Sequence, residues 1–96
     1  MARARETVEN HAKAAVEGKM DVVMGDVVPE LHAGLQPLAE KLGAIQPTGH
    51  EILEERKEGD QVVFKVKYLG KAGSLTVEST WALKGDAWKV VKAAVL

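Results

Sequence analysis

Four residues of this chain, His11, Glu55, Ser79 and Lys92, have side chains that can bind a polar ligand group or transfer a proton. An imidazole titrates near neutral pH and can act as a general base. A lysine ammonium and a serine hydroxyl can both donate hydrogen bonds to a carbonyl or acidic group. Whether these side chains act together depends on the elements that hold them.

The second half of the chain has the pattern of a four-stranded antiparallel β-meander. From His50 onward, apolar and polar residues alternate with the period of two that marks half-buried strands. Gly59-Asp60 and Gly85-Asp86 have glycine first, as a type II′ hairpin turn requires, and residues 70–73 form a third turn. The pattern predicts strands over residues 50–58, 61–69, 74–84 and 87–95.

These turns predict a register, because paired residues share one face of a sheet. The predicted outer face carries a row of Glu54, Lys65 and Glu78, whose charges alternate in sign across three strands. It also carries Ile52. The other face is mostly apolar and is predicted to face the core. It holds Leu53, Glu55, Val62, Phe64, Val66, Tyr68, Leu75, Val77, Ser79, Trp81, Leu83, Trp88, Val90, Lys92, Ala94 and Leu96.

One row of this core face combines Glu55, Phe64, Ser79 and Lys92. Adjacent strands lie about 4.8 Å apart, so Ser79 and Lys92 would be neighbours. A buried, unpaired ammonium is costly, so Lys92 needs a partner or an opening to water. One hypothesis is a pocket floor that binds an acidic or carbonyl group; the alternative is that Lys92 extends its ammonium out into water. The ligand-binding candidates are Glu55, Phe64, Tyr68, Ser79, Trp81 and Lys92.

The first half of the chain is predicted to be helical over residues 3–17, 21–25 and 29–43. Gly18 is expected to end the first helix and Asp21 to cap the second. Pro37 lies inside the third helix, where it would cost about 3 kcal/mol if the helix were straight, so we expect a kink or break near Gln36. The helices would cover the concave face of the sheet. The prediction is one α+β domain over residues 1–96.

The histidines give few further candidates. His11 lies beside Ala12 of the apolar stripe of the first helix, where it would either border the core or reach the pocket as a base or hydrogen-bond donor. His32 and His50 have less claim to a role. No His, Asp and Glu spacing on one element predicts a metal site, and no cofactor motif is present, so we expect neither.

Composition excludes several classes of partner. The 96 residues carry a net charge of −1, without the basic excess that binds a phosphate backbone, so nucleic acid is not expected. No apolar run approaches the roughly 20 residues of a membrane span. Cysteine is absent, which fits a reducing compartment. We expect a soluble cytoplasmic protein.

An apolar corner of the predicted outer face suggests self-association. Ala82, Val91, Ala93 and Val95 place apolar groups on the last two strands, where the first two strands carry charge. Apolar surface beside a polar rim often marks an interface. We expect a homodimer that packs sheet against sheet. The alternative is coverage by the chain's own N- or C-terminal tail.

The whole pattern resembles the nuclear transport factor 2-like superfamily, the cone-shaped fold of ketosteroid isomerases and small polyketide cyclase-like proteins. The resemblance is carried by the step from Gly18 to Asp21, the helical middle, and a meander that ends in residues 79–81 and 88–91. It implies a pocket between the helices and the concave sheet face. It also places His11 where the isomerases carry an oxyanion-binding tyrosine. The segment that carries their catalytic aspartate has no counterpart in residues 27–43.

Three functions therefore remain open. The first is a homodimeric, non-catalytic domain that binds a small apolar or carbonyl-containing ligand, which requires a cavity of roughly 300 Å³ or more. The second is an enzyme of the isomerase or cyclase kind that uses His11 with Lys92, which requires the His11 side chain to open onto the cavity within reach of a carboxylate. The third is an interaction module whose cone is filled by Phe64, Trp81 and Leu35.

Overall fold

The computed structural model describes residues 3–96, so residues 1 and 2 of the predicted domain lie outside the described residues. Helices come first and a four-stranded sheet follows. The helices are α1 (Ala4–Val16), α2 (Met20–Gly25), a 3₁₀ helix (Pro29–Leu35) and α3 (Gln36–Ala44). The strands are β1 (Pro47–Glu58), β2 (Gln61–Gly70), β3 (Gly73–Lys84) and β4 (Ala87–Val95).

The predicted α+β meander is confirmed. All neighbouring strands are antiparallel, and their order in the sheet is the order along the chain. Gly59 and Gly85 open the first and last hairpin turns with φ of 64° and 69°, a conformation that glycine adopts without steric cost. The middle turn is equally short, because Gly70 pairs with Gly73. Each turn therefore joins its strands with two residues.

The helices end and break close to the predicted places. α1 ends at Val16, and Gly18 follows with φ of 75°. The predicted third helix is broken at Gln36, where the 3₁₀ helix gives way to α3 and Pro37 occupies the first turn. The predicted capping role of Asp21 is wrong, because α2 already begins at Met20 and no side chain caps it.

The core lies between α1 and the apolar face of the sheet. Phe64 and Trp81 of the two central strands are fully buried, and Val8 and Ala12 of α1 are buried to the same degree. The segment 29–44 covers the core less completely. No residue of the 3₁₀ helix is fully buried, and Leu35 and Leu38 are half-buried where they pack against the core. The sheet and α1 thus hold the most deeply buried residues of the core, and residues 29–44 form its lighter cover.

A bulge in β1 changes one part of the predicted register. Ile52 pairs with Val66, and Glu54 pairs with Lys65, so Leu53 is an extra residue on this strand. The prediction that Leu53 faces the core is wrong, since its side chain is 49% exposed. Ile52, predicted on the outer face, packs against the core instead. Between this bulge and the hairpin turn the predicted register is confirmed, because Lys65 of β2 pairs with Glu54 of β1 and with Glu78 of β3.

A second bulge, in β4, exchanges the two faces of the last strand. Trp81 pairs with Val90, but the preceding residue Thr80 pairs with Lys92, so Val91 is the extra residue. The predicted core position of Lys92 is wrong. It lies opposite Thr80 on the outer face and is exposed. The ammonium group of Lys92, which the predicted register placed in the core, therefore needs no buried partner.

The residues after this bulge move in the same way. Ala93 pairs with Ser79, and Val95 pairs with Val77, so both lie on the core face and not on the outer face as predicted. Ala94, predicted on the core face, pairs with Glu78 on the outer face. Leu96, also assigned to the core, is 62% exposed.

Candidate functional site

An apolar cavity of about 60 Å³ lies between the helices and the core face of the sheet. Almost all of its wall is hydrocarbon, and the polar side chains in it are those of His11, Tyr68 and Ser79. The apolar wall residues are Val8, Ala15, Met20, Val23, Met24, Val27, Leu35, Leu38, Ala39, Leu42, Val66, Leu75, Val77, Val90 and Ala93. An apolar cavity of about 150 Å³ holds benzene, so this cavity is smaller than a site for one aromatic ring. It also falls below the roughly 300 Å³ that the predicted ligand-binding function requires, although the space between helices and sheet is not completely filled.

His11 pairs with Asp26 at the border of this cavity. The distance between Nδ1 of His11 and Oδ2 of Asp26 is 3.0 Å, and the two side chains are 15% and 25% exposed. The imidazole also stands edge-on to the indole of Trp81, with ring centroids 5.1 Å apart and planes at 88°. The carboxylate and the indole together hold the ring in one orientation.

Backbone pairing to β4 positions Asp26. Its carbonyl accepts a hydrogen bond of 2.7 Å from the Val90 N–H, and the Val28 N–H donates to the Val90 carbonyl at 3.1 Å. The residues just before this pair are also in contact, because the ammonium of Lys89 donates to the Gly25 carbonyl at 2.6 Å. The segment that follows α2 is thereby held against the edge of the sheet, beside the β4 bulge. This attachment brings the carboxylate to α1.

Ser79 and Trp81 form a second polar contact beneath the cavity. The indole Nε1–H of Trp81 donates to Oγ of Ser79 at 2.9 Å, which satisfies the polar atom of a fully buried ring. A serine hydroxyl can accept and donate at the same time, so its hydrogen can still be given to another group. Ser79 is part of the cavity wall and Trp81 is not.

Tyr68 contributes the third polar side chain of the wall. It is 5% exposed, and this burial raises the pKa of Tyr68 to about 12, because the phenolate would lose its hydration. The hydroxyl therefore stays protonated across the physiological range. It can donate a hydrogen bond but carries no charge.

The predicted ligand-binding residues fall into three groups. Tyr68 and Ser79 line the cavity, as does the catalytic candidate His11. Phe64 and Trp81 are packed in the core behind the wall. Glu55 and Lys92 lie away from the cavity: the carboxylate of Glu55 is exposed and accepts a 3.1 Å hydrogen bond from Arg5. The row predicted to run through Phe64 and Ser79 to Lys92 ends at Ala93 instead, because Ala93 is the residue that pairs with Ser79.

Sequence reasoning missed Asp26, Met20 and Met24. Asp26 lies in a short connection, and only its long-range pairing with β4 brings it to His11. The two methionines of α2 had an apolar pattern but too short a helix to assign a face. A signal was available for Lys92, because an unpaired lysine on an otherwise apolar face indicates that the register changes before it.

The predicted dimer surface is smaller than expected. Ala93 and Val95 lie on the core face, which leaves Ala82 and the bulged Val91 of the four predicted residues. Val63, on the outer face opposite Thr80, is only 2% exposed within a single chain, so it offers little further apolar area. Dimerisation through this face stays a prediction.

Residues 3–96 contain neither a cluster of metal ligands nor a helix that could span a membrane. Within this range no group of three or more His, Asp or Glu side chains is arranged to hold a metal ion. No helix in the same range has the length and apolar content needed to cross a bilayer.

Comparison with models of known protein families and with curated protein sequences finds no match.

Proposed function

We propose that this protein is a small ligand-binding domain of the nuclear transport factor 2-like kind, which holds an apolar molecule in the cavity between helices and sheet without transforming it. The observation that carries the proposal is the cavity wall, which is hydrocarbon except at His11, Tyr68 and Ser79. Binding pockets combine such a wall with a few polar groups that orient the ligand. The proposal includes a cytoplasmic location and a homodimer.

Expansion of the cavity would accommodate a ligand of aromatic-ring size. The closed volume must grow by about 90 Å³ to reach that of an apolar cavity that holds benzene, roughly the volume of one leucine side chain. Leu35 and Leu38 belong to the lighter cover, residues 29–44, and both contribute to the wall. Met20 and Met24 contribute unbranched thioether chains, which adapt to irregular volumes more readily than branched residues do.

Leu35→Ala tests this proposal directly. Removing the side chain enlarges the cavity, and because Leu35 is only half-buried the free energy of unfolding should fall by about 1–2 kcal/mol, less than for a fully buried leucine. The variant should bind toluene more tightly than the parent chain. The measurement is the rise in melting temperature with added toluene, since a ligand that binds only the folded state stabilises it.

Leu31→Ala is the matched control. Leu31 lies in the same 3₁₀ helix and packs against the core, but it is not part of the cavity wall. It should lose stability without any gain in toluene binding. If toluene leaves the melting temperatures of the parent and of Leu35→Ala unchanged, the cone is a filled core and the interaction module becomes the better reading.

A second candidate function is proton transfer, which the pairing of His11 with Asp26 favours. A carboxylate that holds the histidine ring is the usual arrangement of a general base. Lys92 has no part in it, because it lies on the outer face. The test is deuterium uptake by a small enolisable ketone, cyclohexanone, followed by NMR in heavy water. An enzyme would exchange the ketone faster than buffer does and lose this activity in His11→Phe; equal rates would exclude it.

A further inference from the structure

The pairing with Asp26 determines which nitrogen of His11 carries the hydrogen. An ionised carboxylate only accepts hydrogen bonds, so Nδ1 of His11 must be the donor across the 3.0 Å contact. In the neutral imidazole the lone pair is then on Nε2, because only one ring nitrogen is protonated. The same ring is part of the cavity wall. Because the Nδ1 donor of His11 is engaged by Asp26, the group that this wall residue can still offer a ligand is the acceptor Nε2.

Ser79 supplies the complementary group. Its oxygen already accepts the hydrogen bond from the Trp81 indole, and its hydrogen can still be donated to a ligand oxygen. A hydroxyl group on a ligand donates one hydrogen bond and accepts others. A carbonyl or ether oxygen only accepts and would leave the His11 lone pair unpaired. The predicted carbonyl preference depended on Lys92 together with Ser79, and Lys92 lies on the opposite face of the sheet.

We propose that the ligand of this cavity is a small apolar alcohol or phenol, whose hydroxyl hydrogen is donated to Nε2 of His11. This proposal rests on the proposed function, since it assumes that the cone admits a ligand. It adds the chemical class of that ligand. The hydrocarbon wall encloses the rest of the molecule, and the polar groups in the wall distinguish a hydroxylated compound from a hydrocarbon of the same shape.

Phenol and toluene form a matched pair of probes for this preference. They differ by a hydroxyl in place of a methyl group, so shape is nearly constant. In a wholly apolar cavity the buried hydroxyl would lose its hydration without compensation, and phenol would bind more weakly than toluene. With an acceptor in the wall, phenol should bind at least as tightly. Anisole, whose oxygen has no hydrogen to donate, should bind roughly three- to tenfold more weakly than phenol.

The experiment measures dissociation constants of the three probes for the parent chain and for Leu35→Ala by calorimetry. All measurements are made in one buffer, so that the three probes meet the same protonation state of the chain. His11→Phe keeps an aromatic ring beside Trp81 and removes the acceptor. The substitution changes the wall for every probe, so the diagnostic is the ratio: phenol affinity should fall roughly three- to tenfold more than toluene affinity.

The outcomes separate this inference from the proposed function. If toluene binds and phenol binds tenfold more weakly or worse in the parent chain, the ligand class is wrong and the apolar binding function stands. If none of the probes binds, both fail. If His11→Phe does not fold, the imidazole ¹⁵N resonances of the parent chain decide. A shift of the His11 Nε2 signal with phenol and not with toluene supports the contact, and equal shifts with both probes contradict it.

Discussion

Replacing Gly70 by alanine is expected to lower the free energy of unfolding by roughly 2–4 kcal/mol, among the larger effects of a single methyl group. Gly70 ends β2, directly beneath the connection from α3 to β1. A Cβ built on it would overlap the Ile45 carbonyl oxygen and stand 2.8 Å from the carbonyl carbon and 2.9 Å from the Gln46 oxygen. All three are backbone atoms, so no side chain can rotate away to make room.

The same backbone atoms are already engaged. The Ile45 carbonyl accepts a 3.0 Å hydrogen bond from the Ala72 N–H, and the Gln46 carbonyl accepts one of 3.2 Å from the backbone N–H of Lys71. Moving the connection to admit a methyl group would break these bonds at the point where α3 is joined to the sheet. The melting temperature of Gly70→Ala should fall on the order of 10–20 °C, as measured by circular dichroism.

Gly49→Ala is the control for Gly70→Ala, because it adds the same atom to a strand residue of β1. No atom lies within 4 Å of a Cβ built at Gly49, and its φ is not in the positive range. Alanine there should be neutral or should stabilise by about 0.5–1 kcal/mol, since it restricts the unfolded chain. Equal melting temperatures for the two variants would mean that the close approach at Gly70 does not constrain the fold.

The sheet could be predicted from the sequence wherever a turn determined the pairing. The turns at Gly59 and Gly85 are local signals, and every residue between a turn and the first bulge was assigned to the correct face. A bulge adds one residue to one strand and exchanges the faces of all residues beyond it. In β1 the choice between Ile52 and Leu53 was hidden, because either side chain satisfies an apolar face. In β4 the bulge could be detected from the sequence, because without it Lys92 falls on an otherwise apolar face.

The candidate site could be predicted only in part, for a different reason. Tyr68 and Ser79 were found because they lie on the correctly assigned face of the central strands. The partner of His11 could not be found, because Asp26 reaches it through backbone hydrogen bonds between residues more than sixty positions apart. Such pairings produce no periodic pattern in the sequence. The contact between His11 and Asp26 therefore follows from the tertiary structure and not from a sequence motif.

Between about pH 10 and 12 the folded state should lose roughly 2–3 kcal/mol through Tyr68 alone. The pKa of Tyr68 is about 12 in the folded chain and 10.0 when the side chain is exposed. In this interval the unfolded state releases the proton and the folded state keeps it, so rising pH favours unfolding. The contribution of Tyr68 to stability is complete below pH 10 and lost by about pH 12. The observable is the urea midpoint, measured at steps of pH.

Tyr68→Phe isolates this effect from the lysines, which also titrate in alkali. Phenylalanine keeps the ring that lines the cavity and removes the ionisable hydroxyl, so the difference in unfolding free energy between the parent chain and the variant should depend on pH only above 10. Tyr68 is the only tyrosine in the chain, which makes the near-ultraviolet absorbance of tyrosinate an unambiguous signal. In the native protein this absorbance should appear near pH 12 or together with unfolding. A native tyrosinate that forms near pH 10 without loss of structure would show that the hydroxyl is open to water. Tyr68 would then not be a buried part of the cavity wall.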